Sequence, residues 1–339
     1  MDDDEKRCRL GRCFRDSHPY FRVKSAIETI WAKGIALVTV RVQGGLGNQL
    51  FQAAAGYYLS RFNNQNRLRL DVTRIPFGTD PTRRLEIEQF DLFPSDFHAS
   101  IEGNGVAQFA RFFPKKIGSF IIQGFSWWSD ALSGNKGEVF VDDKNPKSLD
   151  SLGTDSILHG YFNNFDIVAK AESLGFSRNL KLRFGPSKWL SDYISDLNFE
   201  ESVALHIRLG DYLRFPQIFG NLSENFYLNC LEHLEVGEKQ DIVIFSDQPN
   251  KVANLLPKIS KRPQTYIFRE PHLAASFETF YLMSKFKKIC CANSTFSMWA
   301  AWFNDEAGNS KQVTVPSPYL LNEEDMVTPA SWIKVPRFN

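Results

Sequence analysis

Short apolar runs alternate with amphipathic stretches along much of this chain, a pattern that predicts strands followed by helices. The apolar run at 35–42 predicts a strand. Apolar residues at helical spacing across 49–63 predict a helix with one buried face. Residues 67–71 predict a second strand. Strand, helix and strand in this order form a βαβ unit, so we expect a parallel sheet.

The same alternation returns in the second half of the chain, where Ser223 is placed to cap a helix. It predicts a doubly wound α/β domain, with the break between the two halves near 185–200. The predicted strands are 202–207, 241–245, 288–292 and 312–315, and the predicted helices are 189–197, 223–231, 251–258, 276–284 and 298–303.

The stretch between these regular parts, residues 75–150, is rich in Pro, Gly and aromatic residues and has no clear period. We expect short helices and loops there. Its aromatic run at 120–128 suits two roles, stacking on sugar rings or packing within a core. The chain therefore divides into an N-terminal arm at 1–34, a Rossmann-like domain at 35–190 and a second Rossmann-like domain at 191–339.

Composition narrows the class of partner. Forty basic residues stand against thirty-nine acidic ones, a net charge of +1, which gives no reason to expect a nucleic-acid partner. The five cysteines are odd in number, and Cys290 and Cys291 are adjacent in a predicted buried strand. This argues against a disulfide framework and favours a reduced compartment. No pair of cysteines with zinc-ligand spacing has a second pair to match it.

No apolar run approaches the roughly 20 residues that span a bilayer, and the first residues lack the pattern of a secretory signal. We expect a cytoplasmic protein. Residues 6–24 hold seven basic residues and one acidic one. This basic arm has two interpretations, a solvated tail or a peripheral contact with an anionic membrane face.

Polar side chains follow three strands of the predicted second sheet. Ligands of open α/β sheets bind at the carboxyl ends of strands, and a guanidinium there suits a phosphate. Taken singly, each residue is typical of a turn or a helix cap, and Arg208 and Asp211 are also placed to pair across a surface turn. Taken together they favour a nucleotide site. The residues are His206, Arg208 and Asp211, then Ser246 and Asp247, then Asn293, Ser294, Thr295, Phe296 and Ser297.

A glycine-rich turn, Gly44 to Asn48, joins the first predicted strand to the first predicted helix. It matches neither the Walker A motif nor the dinucleotide fingerprint. Its glycines, Gly45 and Gly47 among them, would let the backbone approach a ligand closely, and the following helix N-terminus favours an anion.

Four segments together resemble the ordered motifs of glycosyltransferase family 11, the α-1,2-fucosyltransferases: 44–52, 206–212, 245–247 and 293–302. The resemblance runs from about 38 to 302. It implies a GT-B fold, with two Rossmann-like domains facing across a cleft, and inverting transfer of L-fucose from GDP-β-L-fucose. The implied acceptor is the 2-hydroxyl of a terminal galactose on a glycan, held by the N-terminal domain. No cofactor or essential metal is implied.

By position in these motifs, Arg208 would neutralise the β-phosphate of the leaving GDP and His206 would line the guanine or ribose. Asp247 would accept hydrogen bonds from guanine, and Asn48 would reach the pyrophosphate or fucose. The remaining implied donor-binding residues are Gly45, Gly47, Gln49, Ser246, Asn293, Ser294, Thr295, Phe296 and Ser297.

Two positions depart from the family pattern. The family motif usually has a second Arg at the position of Leu209. Any role that depends on this second positive charge therefore lacks its usual residue in this chain. Animal-type enzymes often have Arg at the position of Gly45. In having glycine there, this chain resembles bacterial and some invertebrate members.

An inverting transfer also needs a base for the acceptor hydroxyl, and Asp211 is the candidate. Orienting Arg208 or capping the turn is an equal alternative role for it. In α-1,6-fucosyltransferase relatives a Glu is implicated about ten positions after the motif His, where this chain has Pro216.

Other functions stay open at this point. They are a GDP-sugar transferase of another linkage, a non-catalytic nucleotide- or glycan-binding protein on the same fold, and a metal-dependent GT-A transferase using Asp142 and Asp143.

Overall fold

The computed structural model describes residues 37–75, 83–103, 106, 109–110, 117–125, 138–139, 146–210, 212, 215–262, 264–268, 276–305, 311–321 and 325–338. Several predictions of the previous section therefore lie outside the described residues. They concern the basic arm at 6–24, Trp127 and Trp128, the Asp142–Asp143 pair, and Asp211.

The first half contains a five-stranded sheet whose neighbouring strands all pair in parallel, in the order β3-β2-β1-β5-β4. The predicted βαβ unit is confirmed. Its helix begins three residues earlier than predicted, at Leu46, so that the glycine turn forms its first residues. The elements are β1 (Thr39–Arg41), α1 (Leu46–Phe62), β2 (Arg67–Asp71), β3 (His98–Glu102), β4 (Glu138–Val139), β5 (Ile157–Leu158) and α2 (Phe165–Ser173), with 3₁₀ turns at Ile87–Gln89 and Pro146–Ser151.

The second half contains a six-stranded sheet, also parallel throughout. Its elements are α3 (Lys188–Asp196), β6 (Val203–Ile207), α4 (Pro216–Phe219), α5 (Glu224–His233), β7 (Ile242–Ser246), α6 (Pro249–Leu255), β8 (Thr265–Ile267), α7 (Ser276–Met283), β9 (Lys288–Cys290), α8 (Thr295–Trp302), β10 (Gln312–Ser317) and β11 (Ile333–Pro336).

The strand order of this second sheet is β11-β10-β9-β6-β7-β8. Counted from β6 it is the 3-2-1-4-5-6 order of the doubly wound fold, with the reversal of strand order between β6 and β9. A ligand crevice is expected at such a reversal. Two parallel α/β halves confirm the predicted fold class.

An aromatic core joins the two halves. Phe51 of α1 packs edge-on against Trp299 of α8, with ring centroids 4.9 Å apart, and against Phe165 of α2 at 5.0 Å. All three rings are buried. Because burying a large aromatic side chain contributes roughly 2–3 kcal/mol, this contact fixes the beginnings of α1 and α8 relative to each other.

Three of the cysteines, Cys230, Cys290 and Cys291, are described, and all three are buried free thiols. Within the described part of the chain, no helix is both long and apolar enough to cross a membrane.

Candidate active site

The turn after β6 is tied to the end of β7 by Asp247. The Leu209 N–H donates to Asp247 Oδ1 and the Gly210 N–H donates to Oδ2, both at 2.9 Å. Arg208 Nη1 lies 3.0 Å from Oδ2. Carboxylates accept such bonds strongly because the acceptor is charged. Asp247 thereby fixes both the turn and the direction of the Arg208 side chain.

Arg208 is also held from the side by an aromatic ring. Its guanidinium carbon lies 5.7 Å from the centre of the Tyr212 ring. Tyr212 stacks on Phe219, with centroids 4.1 Å apart and planes 6° from parallel, and its hydroxyl donates to the Asn293 carbonyl at 2.6 Å. This contact links the turn after β6 to the segment that opens α8. Arg208 remains a quarter exposed, so part of its side chain is accessible at the surface of the site.

His206 lies beneath the same turn and is only 5% exposed. Its ring centroid is 5.7 Å from that of Phe296 in α8. Burial, helped by the charge of Arg208, lowers the pKa of His206 to about 3. Within the described residues its Nδ1 is buried and has no hydrogen-bond partner. His206 is therefore a neutral imidazole near pH 7, able to exchange a hydrogen bond but not to supply a positive charge.

The glycine turn of the first half meets the start of α8 in the second. A Cβ added to Gly47 would lie 2.5 Å from the Thr295 carbonyl carbon and 2.6 Å from its Oγ1, so only glycine permits this approach. One residue further, Thr295 Oγ1 donates to Asn48 Oδ1 at 3.0 Å. The N-termini of α1 and α8 thus converge across the junction between the halves.

Neither of these two helix N-termini is capped by its own N-cap side chain. Gly45 has none to offer, and Ser294 makes no capping bond, in contrast to Ser187 and Ser223, which cap α3 and α5. In both α1 and α8, all of whose residues are described, the first turn holds no acidic residue. Two converging positive helix ends without a carboxylate form an environment that favours an anion.

Several predicted donor-binding residues are buried in structural hydrogen bonds. Gln49 is fully buried: its Nε2 donates to the carbonyls of Gly44 and Arg84, and its Oε1 accepts from the Glu86 N–H. Asn293 Nδ2 donates to the Phe219 carbonyl, and Ser297 Oγ donates to the Ser294 carbonyl. These three side chains hold the loops around the site in place.

The remaining predicted residues lie at the strand ends of the second sheet or beside the N-termini of α1 and α8. Ser246 Oγ accepts from the Gln248 N–H at 3.1 Å and so shapes the turn after β7. Asp247 already accepts three donors, out of about four that a carboxylate can take. Four predicted donor-binding residues beside the two helix N-termini are partly exposed: Gly45, Asn48, Thr295 and Phe296.

One residue that the sequence pattern did not single out lies at the same place. The guanidinium of Arg83 sits against Gly45, where a Cβ on that glycine would clash with Nη1. Arg83 belongs to a stretch without periodicity, so only a pair of adjacent basic residues, Arg83 and Arg84, marked it in the sequence.

Among the described residues, no group of three or more His, Cys, Asp or Glu side chains is arranged to hold a metal ion.

The chain is similar in sequence to known glycosyltransferases. Residues 189–333 match the family model of Glycosyl transferase family 11. The chain is 28% identical over 312 residues to the O-antigen biosynthesis glycosyltransferase WbnK of Escherichia coli, covering 87% of this chain and 99% of that protein. It is 26% identical over 322 residues to an Escherichia coli alpha-1,2-colitosyltransferase, covering 89% and 99%.

Among solved structures, the fucosyltransferase NodZ from Bradyrhizobium is a distant match, with a TM-score of 0.46 and 13% identity over 79% of this chain and 93% of that one.

Two parallel α/β halves that meet at the ends of their strands, together with these sequence matches, make this chain a glycosyltransferase of the GT-B architecture.

Proposed function

We propose that this glycosyltransferase is an inverting galactoside α-1,2-fucosyltransferase, which moves L-fucose from GDP-β-L-fucose to the 2-hydroxyl of a terminal galactose. The observation that carries the proposal is the Asn48–Thr295 hydrogen bond, because it joins two helix N-termini into one anion-favouring corner. That corner adjoins the end of β6, where Arg208 stands.

The diphosphate of the donor fits this corner in charge. Arg208 supplies a cation with a planar fork of donors, and the two helix ends supply backbone N–H groups. The site lies where the strand order reverses between β6 and β9, the usual place for a nucleotide in a doubly wound sheet. The motif resemblance and the family match support fucose as the sugar and guanine as the base.

In the proposed reaction, the galactose 2-oxygen forms a bond to the anomeric carbon of fucose. The bond from that carbon to the β-phosphate oxygen breaks, and its electron pair leaves with GDP. Arg208 stabilises the charge that develops on this leaving group, a contribution often worth several kcal/mol when the donors are preorganised. The acceptor proton passes to a base, for which Asp211 is the candidate from its place in the motif.

Asp247 has two roles in this proposal. Its carboxylate orients Arg208, as its ion pair with that residue supports. It also keeps about one acceptor position for a donor such as the exocyclic amine of guanine. No metal takes part in the proposed transfer.

A second candidate donor is favoured by one relative. The alpha-1,2-colitosyltransferase covers nearly the whole chain at 26% identity, so colitose in place of fucose is the alternative sugar, with the same linkage.

Incubating the purified protein separately with GDP-fucose and GDP-colitose, in the presence of a terminal β-galactoside, tests both candidates. We expect acceptor-dependent GDP release from GDP-fucose, a product with an α-linked fucose on galactose O2 by NMR, and no loss of rate in EDTA. A product at another hydroxyl would contradict the linkage. GDP binding without any transfer to a panel of galactosides would favour a binding protein instead.

A further inference from the structure

A buried arginine, Arg337, lies directly after β11, the edge strand of the second sheet. Only 5% of Arg337 is exposed, and its main-chain N–H donates to the Ser317 carbonyl at 3.0 Å. Its guanidinium donates to three main-chain carbonyls, those of Phe219, Tyr319 at 3.2 Å and Pro318 at 3.4 Å. Phe219 is the last residue of α4, so Arg337 joins the segment between β6 and α5 to the loop after β10.

The charge of Arg337 is paired with carbonyl dipoles and not with a carboxylate. Among the residues that the structure describes, no ion pair includes Arg337, and its Nε is buried without a hydrogen-bond partner. Burial lowers the pKa of this guanidinium. A buried cation without a carboxylate costs stability, and departures from the usual pairing of buried charges are expected at functional sites.

The end of α4 is fitted closely to this guanidinium. Gly220, directly after Phe219, has a φ of +59°, a left-handed conformation that favours glycine. A Cβ on Gly220 would lie 2.8 Å from Arg337 Nη2 and 3.0 Å from a methyl carbon of Leu321. The Leu321 N–H also donates to the Ile218 carbonyl at 3.0 Å. The end of α4 therefore packs directly against Arg337 and against the loop after β10.

Phe219 connects this arrangement to the candidate site. Its carbonyl, which accepts from Arg337, also accepts from Asn293 Nδ2 at 2.9 Å. Its ring stacks on Tyr212 at 4.1 Å, with the planes 6° from parallel. The Tyr212 ring lies 5.7 Å from the guanidinium carbon of Arg208. A displaced Phe219 would thus move the ring that lies beside Arg208.

We propose that Arg337 is a positioning residue of the donor site: by holding the Phe219 carbonyl, it fixes the Tyr212–Phe219 stack and with it the direction of Arg208. Arg337 acts through these rings and does not itself touch the donor. This inference rests on the proposed function, because it takes Arg208 as the residue that binds the diphosphate.

The test compares GDP with guanosine, because only GDP carries the diphosphate. Both ligands are titrated calorimetrically into the whole chain and into Arg337→Met and Arg337→Lys. We expect Arg337→Met to weaken GDP binding roughly 10-fold, within the 100-fold that a misplacement of about 1 Å can cost, and to leave guanosine binding unchanged. Arg337→Lys should recover part of this loss, since it keeps the charge and a donor for the Phe219 carbonyl.

Two further variants separate a positioning role from a merely structural one. Phe219→Leu keeps the carbonyl but removes the stacked ring, so in a double variant it should add little to the effect of Arg337→Met on GDP affinity. Lys334→Met is the matched control. Lys334 is a cation on β11 whose partner is the Asp325 carboxylate, at 3.3 Å, and this variant should bind GDP as the parent does. Urea unfolding shows whether each variant is folded under the conditions of the titration.

If Arg337→Met does not fold, Arg337→Lys and Phe219→Leu carry the test, because both should bind GDP more weakly than the parent and guanosine equally well. Three outcomes would overturn this inference alone: parental GDP affinity in the folded Arg337 variants, an equal loss for GDP and guanosine, or fully additive losses in the double variant. A parent protein that binds no GDP would overturn the proposed function together with it.

Discussion

Arg208 and Asp247 form an ion pair between the ends of two adjacent strands, with Nη1 3.0 Å from Oδ2. The same carboxylate accepts the N–H groups of Leu209 and Gly210, the two residues after Arg208. One side chain thus sets both the backbone turn and the direction of the cation that this turn presents.

Replacing Arg208 by Ala should lower kcat/KM about 100- to 1,000-fold, since it removes a preorganised donor from the developing charge of the leaving group. The partly exposed side chain is not part of the core, so the midpoint of urea unfolding should move little. Steady-state kinetics and urea unfolding measure the two effects. Near-parental transfer by this variant would rule out the role given to Arg208.

Asp247→Asn should lower activity because an amide cannot accept the guanidinium and both backbone N–H groups equally well. If Asp247 acts by orienting Arg208, Asp247→Asn alone should lower kcat/KM roughly tenfold or more. In a protein that already carries Arg208→Ala, the same substitution should have only a small effect, because residues in contact show such coupling. A double-mutant cycle on kcat/KM measures this coupling.

A second experiment tests whether Asp247 recognises guanine. The parent would then bind GDP more tightly than inosine diphosphate, which lacks the exocyclic amine, and Asp247→Asn would abolish that preference. If parent and variant prefer GDP over inosine diphosphate to the same extent, a residue other than Asp247 recognises guanine.

Gly47→Ala should separate the starts of α1 and α8, because the new Cβ would lie 2.5 Å from the Thr295 backbone. Overpacking of this kind costs roughly 1–3 kcal/mol, and the displaced corner should lose donor affinity as well. Urea unfolding and GDP titration check the two effects. Gly124→Ala, in the helical segment 117–125, is the control: a Cβ there meets nothing within 4 Å, so stability should not fall.

Acid should destabilise the protein through His206, whose pKa is lowered to about 3 by burial. The unfolded chain binds the proton near pH 6.5, so it holds more protons than the native state between pH 3 and 6.5. The free energy of unfolding should therefore fall by about 2 kcal/mol on going from pH 7 to 5 on account of this residue. Urea unfolding at both pH values should show a smaller fall in His206→Gln. An unchanged fall would mean that the native imidazole titrates normally.

Lys311 should make stability rise with pH on the alkaline side of neutrality. Its Nζ is buried and donates to the carbonyls of Ser284 and Ala300. Burial lowers the pKa of Lys311 to about 7, although the negative charge of Asp305 acts to raise it. Since the unfolded side chain holds its proton up to about pH 10.4, the free energy of unfolding should rise between pH 7 and 8.5, by up to about 1.4 kcal/mol per pH unit.

Lys311→Met, of similar length, should flatten this slope in urea unfolding series. If the free energy of unfolding rises with pH as steeply in this variant as in the parent, groups other than Lys311 cause the rise.

Most central strands follow from the sequence pattern, whereas the two-residue central strand β5 and the edge strands β3, β8 and β11 do not. β1, β6, β7 and β9 follow from continuous apolar runs, because a strand buried on both faces reads as such a run. β2 and β10 follow from apolar residues at alternate positions. β3, β8 and β11 are sheet edges, and their sequences are polar and short, so nothing in the pattern separates them from loops. The start of α8 was likewise placed three residues late, since Thr295 and Ser297 resemble turn residues.

The sequence by itself determined the parallel α/β class, the order of the elements and the strand ends at which His206, Arg208 and Asp247 lie. These properties depend on local periodicity and on the motif around Arg208. Only the tertiary structure decided that Asp247 binds the turn after β6, that Gln49 is an anchor for a loop, and that Arg83 lies beside Gly45. Each of these contacts joins residues more than thirty positions apart, and their pairing is decided by how the strands and the two halves pack.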